Sequence, residues 1–307
     1  MLRPCRVLVC AILIAASAGG VWSQPRDTLP VNAQPLMQTD QAAVSAYFDR
    51  FAESLASGTA SAAQRARDAI IGPVRGSTSV SFRLYYGGLL TDTVRAMTGP
   101  DTDPWRVQLG LAVAGAVATD PMLEVILGAM TDSRPAVRLA AARDLGALLH
   151  QVDLDRDAIQ NARLTRAIEH ARDTLAQEPS VFVAAEIAKA LASPTHTPEI
   201  QDQTLVAMCK GFAAWLDAAQ NQNPKATNET LIVTLGALRS ARAQFVARQI
   251  AGGAPPTLAD AVRLLADSAL AAGRTVLADA GHGDRVRELA DRVTSVADAV
   301  RLLADDG

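Results

Sequence analysis

Apolar side chains recur along most of this chain every three or four residues, the period of an α-helix with one buried face. The first such run begins near Asp40, where Ala43, Tyr47, Phe51 and Leu55 recur at every fourth position until Gly58 stops it. Ser61 to Ile71 reads as a second helix closed by Gly72-Pro73. Over Gly76-Ser77-Thr78-Ser79-Val80-Ser81-Phe82 strand and helix compete on local preference. From about Val80 onward the stripe of Leu84, Tyr85, Leu89, Val94 and Met97 predicts helix, against the pull of Gly87-Gly88.

From Asp101 the pattern becomes regular. Pro104, Pro121, Pro135 and Pro179 each follow a polar residue and precede an apolar period, which suits the first helical turn, where no amide donor is needed. Helices are expected near 104–118, 121–131, 135–150, 157–177 and 179–192, joined by turns short enough to make neighbours antiparallel. Glu199 to Ala219 and Thr227 to Ile250 read as longer helices around the polar loop Gln220 to Lys225.

Within this region Asp132-Ser133-Arg134-Pro135-Ala136-Val137-Arg138-Leu139-Ala140-Ala141-Ala142-Arg143-Asp144-Leu145-Gly146-Ala147-Leu148 closely resembles the second half of a HEAT repeat. Pro121 to Met130 fits as the first helix of the same unit. The seam is Val137, Ala141, Leu145 and Leu148, with small residues at Ala140, Ala141 and Gly146 allowing close packing. The resemblance implies that Asp132 and Arg138 form a structural ladder between units. Shifted back thirty residues, Val107, Leu109 and Ala112 fall on the template, with Thr102 and Gln108 at the ladder positions. Shifted forward forty-four, Val181 and Val183 fall on it, with Ala176 and Phe182 there.

The expected fold is therefore all-α, a HEAT-like helical-repeat array (a short α-solenoid) with additional N- and C-terminal helices. The expected division is a flexible spacer over 24–40, an N-terminal helical segment over 41–100, the array over 101–250 and C-terminal helices over 251–307. In the last, Ala259-Asp260-Ala261-Val262-Arg263-Leu264-Leu265-Ala266-Asp267 recurs as Ala297 to Asp305, which reads as a duplicated helix.

Composition sharpens this in two ways. Aromatic residues make up only 4% of the 307, so small residues must fill much of the core, as where helices pack closely. The 29 basic and 32 acidic residues leave a net charge of -3 with no long run of either sign, which disfavours nucleic acid as a partner. At the start of the chain, Arg3 and Arg6 precede an apolar stretch from Val7 to Ala16 and then Ser17, Ala18, Gly19 and Gly20, the order of a signal peptide over 1–23. Cleavage fits after Ala18 or after Ser23, and an uncleaved membrane anchor is the alternative. The expected location is periplasmic or extracellular, with no membrane insertion apart from that segment. Cleavage leaves Cys209 as the sole cysteine, so no internal disulfide can form.

Catalytic signatures are sparse. The chain has no GxSxG, GxGxxG, phosphate-binding glycine loop or HExxH. His150, His170, His196 and His282 lack partners at ligand spacing, so no metal or cofactor is expected. Asp153-Leu154-Asp155-Arg156-Asp157 opens like a calcium loop, but Ala158 and Leu164 stand where glycine and a bidentate glutamate belong, which leaves helix capping as its role. Cys209, among Leu205, Met208, Phe212 and Leu216, reads as buried. Phe82, Arg83, Tyr85 and Tyr86 concentrate aromatic and cationic anchors, and with Arg143 they form a candidate interaction surface; filling a junction in the core is the competing role. The reading is a non-catalytic exported protein that binds protein partners or acts as a scaffold in the cell envelope. The alternative is an enzyme or small-ligand-binding protein with a pocket between the N-terminal helices and the array.

Overall fold

Proline is the first residue of four helices in a computed structural model of the chain, whose described residues are 29–154, 158–193, 197–222 and 228–305. Those four are α4 (Pro104–Val117), α6 (Pro135–Leu154), α9 (Pro198–Gln222) and α11 (Pro256–Ala278). The others are α1 (Gln38–Ser57), α2 (Ala60–Ile71), α3 (Val80–Met97), α5 (Asp120–Met130), α7 (Asn161–Gln177), α8 (Val181–Leu191), α10 (Asn228–Ile250) and α12 (Asp284–Asp305). A short 3-10 turn, Gly72–Val74, follows α2. Among the described residues no strand forms, so the fold is all-α. The contested segment becomes helix at Val80, where the Ser79 hydroxyl accepts from the Phe82 amide and caps α3.

The helices stack as antiparallel pairs in two layers. Each odd-numbered helix packs on the next odd one, from α1 through α11, and each even-numbered helix on the next even one, from α2 through α12. This is the arrangement of a helical repeat array, in which each pair buries its faces against its neighbours. It crosses the boundaries expected near 100 and 250, since α2 packs on α4 and α9 on α11. The two ends turn polar sides outward. On α1 these include Asp49, Arg50 and Glu53, and on α12 they include Arg285, Glu288, Asp291 and Arg292.

Small residues let the layers close. A Cβ on Gly115 would lie 2.7 Å from the Asp144 carbonyl, so α4 and α6 pack backbone against side-chain-free surface. One pair along, Gly146 of α6 meets Ala190 of α8 at 3.3 Å. Because Gly115 and Gly146 each stand twelfth in their helices and meet the tenth residue of the next, α4, α6 and α8 run parallel in a common register.

Three local expectations are corrected. The buried face of α1 is Val44, Phe48 and Leu55, with Ala43 exposed, so the expected stripe sits one position off in the first half of the helix and holds at Leu55. On α3 the buried residues include Phe82, Arg83, Tyr86, Leu90 and Val94, whereas Leu84 points to solvent. The stretch read as a flexible spacer is fastened over its described part. The Ser79 amide donates to the Val31 carbonyl at 2.8 Å, the Ser79 hydroxyl to that of Ala33 at 2.6 Å, and Leu36 is buried. The signal-like segment 1–23 lies outside the described residues, and no described helix is long and apolar enough to cross a membrane.

The duplicated nonapeptide occupies the start of α11 and the end of α12, two helices that pack on each other. Both copies present one face inward. Ala259, Val262 and Ala266 are buried, as are Ala297, Val300 and Ala304, while Leu264 and Leu302 are exposed. Arg263 of the first copy binds the second, donating to the Asp305 carboxylate at 2.6 Å and the Ala304 carbonyl at 3.2 Å.

Candidate functional site

The aromatic and arginine cluster on α3 divides between core and surface. Phe82, Arg83 and Tyr86 are fully buried and offer nothing to a partner, which corrects their assignment to an interaction surface. Phe82 stacks on Tyr86 at 5.4 Å between ring centres, and the Tyr86 hydroxyl donates to the Ile70 carbonyl at 2.9 Å. Arg83 donates to the carbonyls of Ala116 and Val117 at 3.1 and 2.9 Å, so its charge closes the last turn of α4. Tyr85 is half-buried, its hydroxyl 2.9 Å from that of Ser45 on α1. The four residues therefore lock α1, α2, α3 and α4 together.

Asp132 and Arg138 lie in a chain of contacts that joins successive pairs. The Asp132 carboxylate accepts from the Arg134 amide at 2.8 Å and from its guanidinium at 2.8 and 2.9 Å. These hydrogen bonds hold the Asp132 carboxyl below the usual carboxylate range. Arg134 then reaches back one pair to the Thr102 carbonyl at 2.6 Å. Arg138 donates to the Asp132 main-chain carbonyl at 2.8 Å and, one pair forward, to both carboxylate oxygens of Glu178 at 2.8 and 2.9 Å. Glu178 in turn accepts from the Ser180 amide at 2.9 Å, and its carbonyl takes the Trp215 indole N–H of α9 at 2.9 Å. At the other end Arg106 of α4 reaches the Ala56 and Gly58 carbonyls at the C-terminal end of α1.

Glu178 is the member of this contact chain that a fixed repeat period misses. It stands three residues before α8, as Asp132 stands three before α6 and Asp101 three before α4. The spacings are thirty-one and forty-six residues, because the loops and helices between them differ in length. Counting from each helix start would have found it. Pro179 correspondingly lies just before α8 instead of inside its first turn.

Arg143 belongs to a different surface. It projects from the outward face of α6, with its side chain 56% exposed and 3.4 Å from Asp144. Leu139, one turn earlier on that face, is 39% exposed; Phe182 on α8 is 65% exposed and Ile232 on α10 is 51% exposed. These three apolar side chains stand near the starts of three consecutive second-layer helices. Deeper along the same faces lie Arg143, Lys189, Arg239 and Arg242, all exposed. Lys189 pairs with Glu186 at 3.1 Å. The Asp144 carboxyl is buried below Arg143, and burial pushes it above the usual carboxylate range, with the Arg143 charge opposing.

Cys209 is fully buried, and burial pushes its thiol far above the ordinary range. His170 borders a groove of about 440 Å³ between α5 and α7, where Arg163 of α7 ties to Asp120 and Glu124 of α5 at 3.3 and 3.5 Å. His150 is exposed on α6, and His282 sits 3.6 Å from Asp279. His196, Asp155 and Asp157 lie outside the described residues, and the residue preceding α7 is Gln160. Among the described residues no three of His, Cys, Asp and Glu group in a way that would hold a metal ion. Compared with known proteins, the chain matches no family model and no curated protein.

Proposed function

We propose that this chain is a non-catalytic, HEAT-like interaction module of the cell envelope, exported by its N-terminal segment, which binds a polypeptide partner on the outward face of α6, α8 and α10. One observation carries the reading. Leu139, Phe182 and Ile232 expose apolar surface on three neighbouring helices, beside Arg143, Lys189, Arg239 and Arg242. Scattered single apolar residues are ordinary on a protein surface, but three on adjacent helices, beside a row of cations, point to an interaction site. Support for the HEAT-like reading comes from the Asp132–Leu148 resemblance and from the loop-to-loop contacts through Arg134, Arg138 and Glu178. Support for export comes from the order of charge, apolar run and small residues over 1–23.

The direct test is a triple variant, Leu139→Ser, Ile232→Ser and Phe182→Ser. All three side chains are exposed, so circular dichroism and melting temperature should match the parent. Affinity capture from envelope extract should lose the bound protein that the parent retains. Retention of the same bound protein by the folded variant would defeat the proposal.

A further inference from the structure

We infer that the partner presents an acidic amphipathic helix, laid across α6, α8 and α10 with its apolar stripe on Leu139, Phe182 and Ile232 and its acidic flank on Arg143, Lys189, Arg239 and Arg242. This rests on the interaction-module reading and adds the chemistry and shape of what is bound.

Spacing is the first argument. Packed helices lie about 8–10 Å apart, so the three apolar side chains repeat at about that interval across the layer. A helix brings the same face round every seven residues, a rise of about 10 Å. An apolar residue at each seventh position therefore meets one receiving helix after another. Register supports the row: Gly146 of α6 sits against Ala190 of α8, which places Leu139 level with the first turn of α8, where Phe182 stands.

Width is the second. Arg143 follows Leu139 by four residues, Lys189 follows Phe182 by seven and Arg239 follows Ile232 by seven. Along a helix axis these steps are about 6–10 Å, so the basic row runs beside the apolar row at roughly the breadth of one helix. An extended strand turns alternate side chains away and covers only one of the two rows. A helix covers both.

Charge is the third. The chain as a whole carries -3, yet this face gathers four cations. Arg143 and Lys189 have neighbours in Asp144 and Glu186, whereas no carboxylate of the described residues pairs with Arg239 or Arg242. Glu229, the exposed acid at the start of α10, lies on the far side of Ile232 from the basic row. An incoming acidic flank therefore meets unbalanced positive charge, which favours encounter and fixes orientation.

The experiment uses the full chain and a fluorescent synthetic helix of about twenty residues, with Leu at three- and four-residue intervals and Glu along one flank. Anisotropy should rise on binding, and affinity should fall at high salt. Phe182→Ser should weaken it by about tenfold or more, as loss of a central aromatic anchor does. Arg239→Glu should weaken it as well, and a peptide with Lys in place of Glu should not bind. Equal binding by a scrambled peptide of the same composition would overturn the inference, as would affinity unchanged by both Phe182→Ser and Arg239→Glu. If the triple serine variant loses its captured protein but the acidic helix does not bind, this inference fails and the interaction reading stands.

Discussion

Replacing Arg138 by alanine tests whether the loop contacts brace the array. In the native protein Glu178 is 2% exposed at its side chain and is paired through both oxygens with Arg138, which is 11% exposed. Removing the guanidinium leaves the carboxylate with the Ser180 amide as its remaining hydrogen-bond donor. Breaking one side of a buried ion pair costs about 3–5 kcal/mol. Because the Ser180 bond survives and the truncated arginine opens a path for water, the expectation here falls just below that range, about 2–3 kcal/mol. Removing both charges together, Arg138→Met with Glu178→Gln, leaves no unpaired buried charge and should cost about 1 kcal/mol or less. The assay is urea unfolding followed by far-ultraviolet circular dichroism and by tryptophan emission. Trp215 donates to the Glu178 carbonyl, so its emission reports the same junction. A coupling energy near 2 kcal/mol is expected from the double-mutant cycle whose single variants are Arg138→Met and Glu178→Gln. Additive single effects, with coupling below about 0.5 kcal/mol, would refute the bracing role.

Three further outcomes follow from the packing and the charges. Gly115→Ala should destabilise by about 1–3 kcal/mol because the new methyl meets the Asp144 carbonyl, whereas Gly128→Ala, which faces open space in α5, should stabilise by up to about 1 kcal/mol; thermal melts of the pair decide it. Cys209 should stay unreactive towards an aromatic disulfide reagent under native conditions and react only as denaturant unfolds α9, and rapid labelling at Cys209 in the folded protein would contradict its burial. The raised Asp144 carboxyl binds its proton more tightly when folded, so its contribution to stability falls as pH rises from the ordinary carboxylate value through the raised one. Asp144→Asn should therefore raise the melting temperature at neutral pH, and that gain should vanish below the carboxylate range; an unchanged melting temperature at neutral pH would contradict the burial cost.

Much of the helical plan was legible because proline marks helix starts by local chemistry. Pro104 and Pro135 each open a helix, and the seam of Val137, Ala141, Leu145 and Leu148 is buried as its spacing implied. What stayed hidden depends on distant partners. Leu29, Val31 and Leu36 have no helical period because their segment is pinned to Ser79, more than forty residues on. Arg83 looked like a surface anchor because arginine is seldom fully buried. It is buried here by the carbonyls that end α4, a contact no local pattern announces. Glu178 escaped a fixed repeat period because the pairs differ in length. The exposed row of Leu139, Phe182 and Ile232 is invisible until three helices are brought side by side, since each residue alone is unremarked in an alanine-rich helix.

The binding face is tested most directly by placing a photo-crosslinking amino acid singly at Phe182, at Ile232 and, on the first layer, at Glu169, in cells that make the chain. All three positions are exposed, so each variant should fold as the parent does. Polypeptide adducts are expected from positions 182 and 232 and not from 169. Adducts from 169 alone, or from none of the three, would contradict the assignment of the second-layer face.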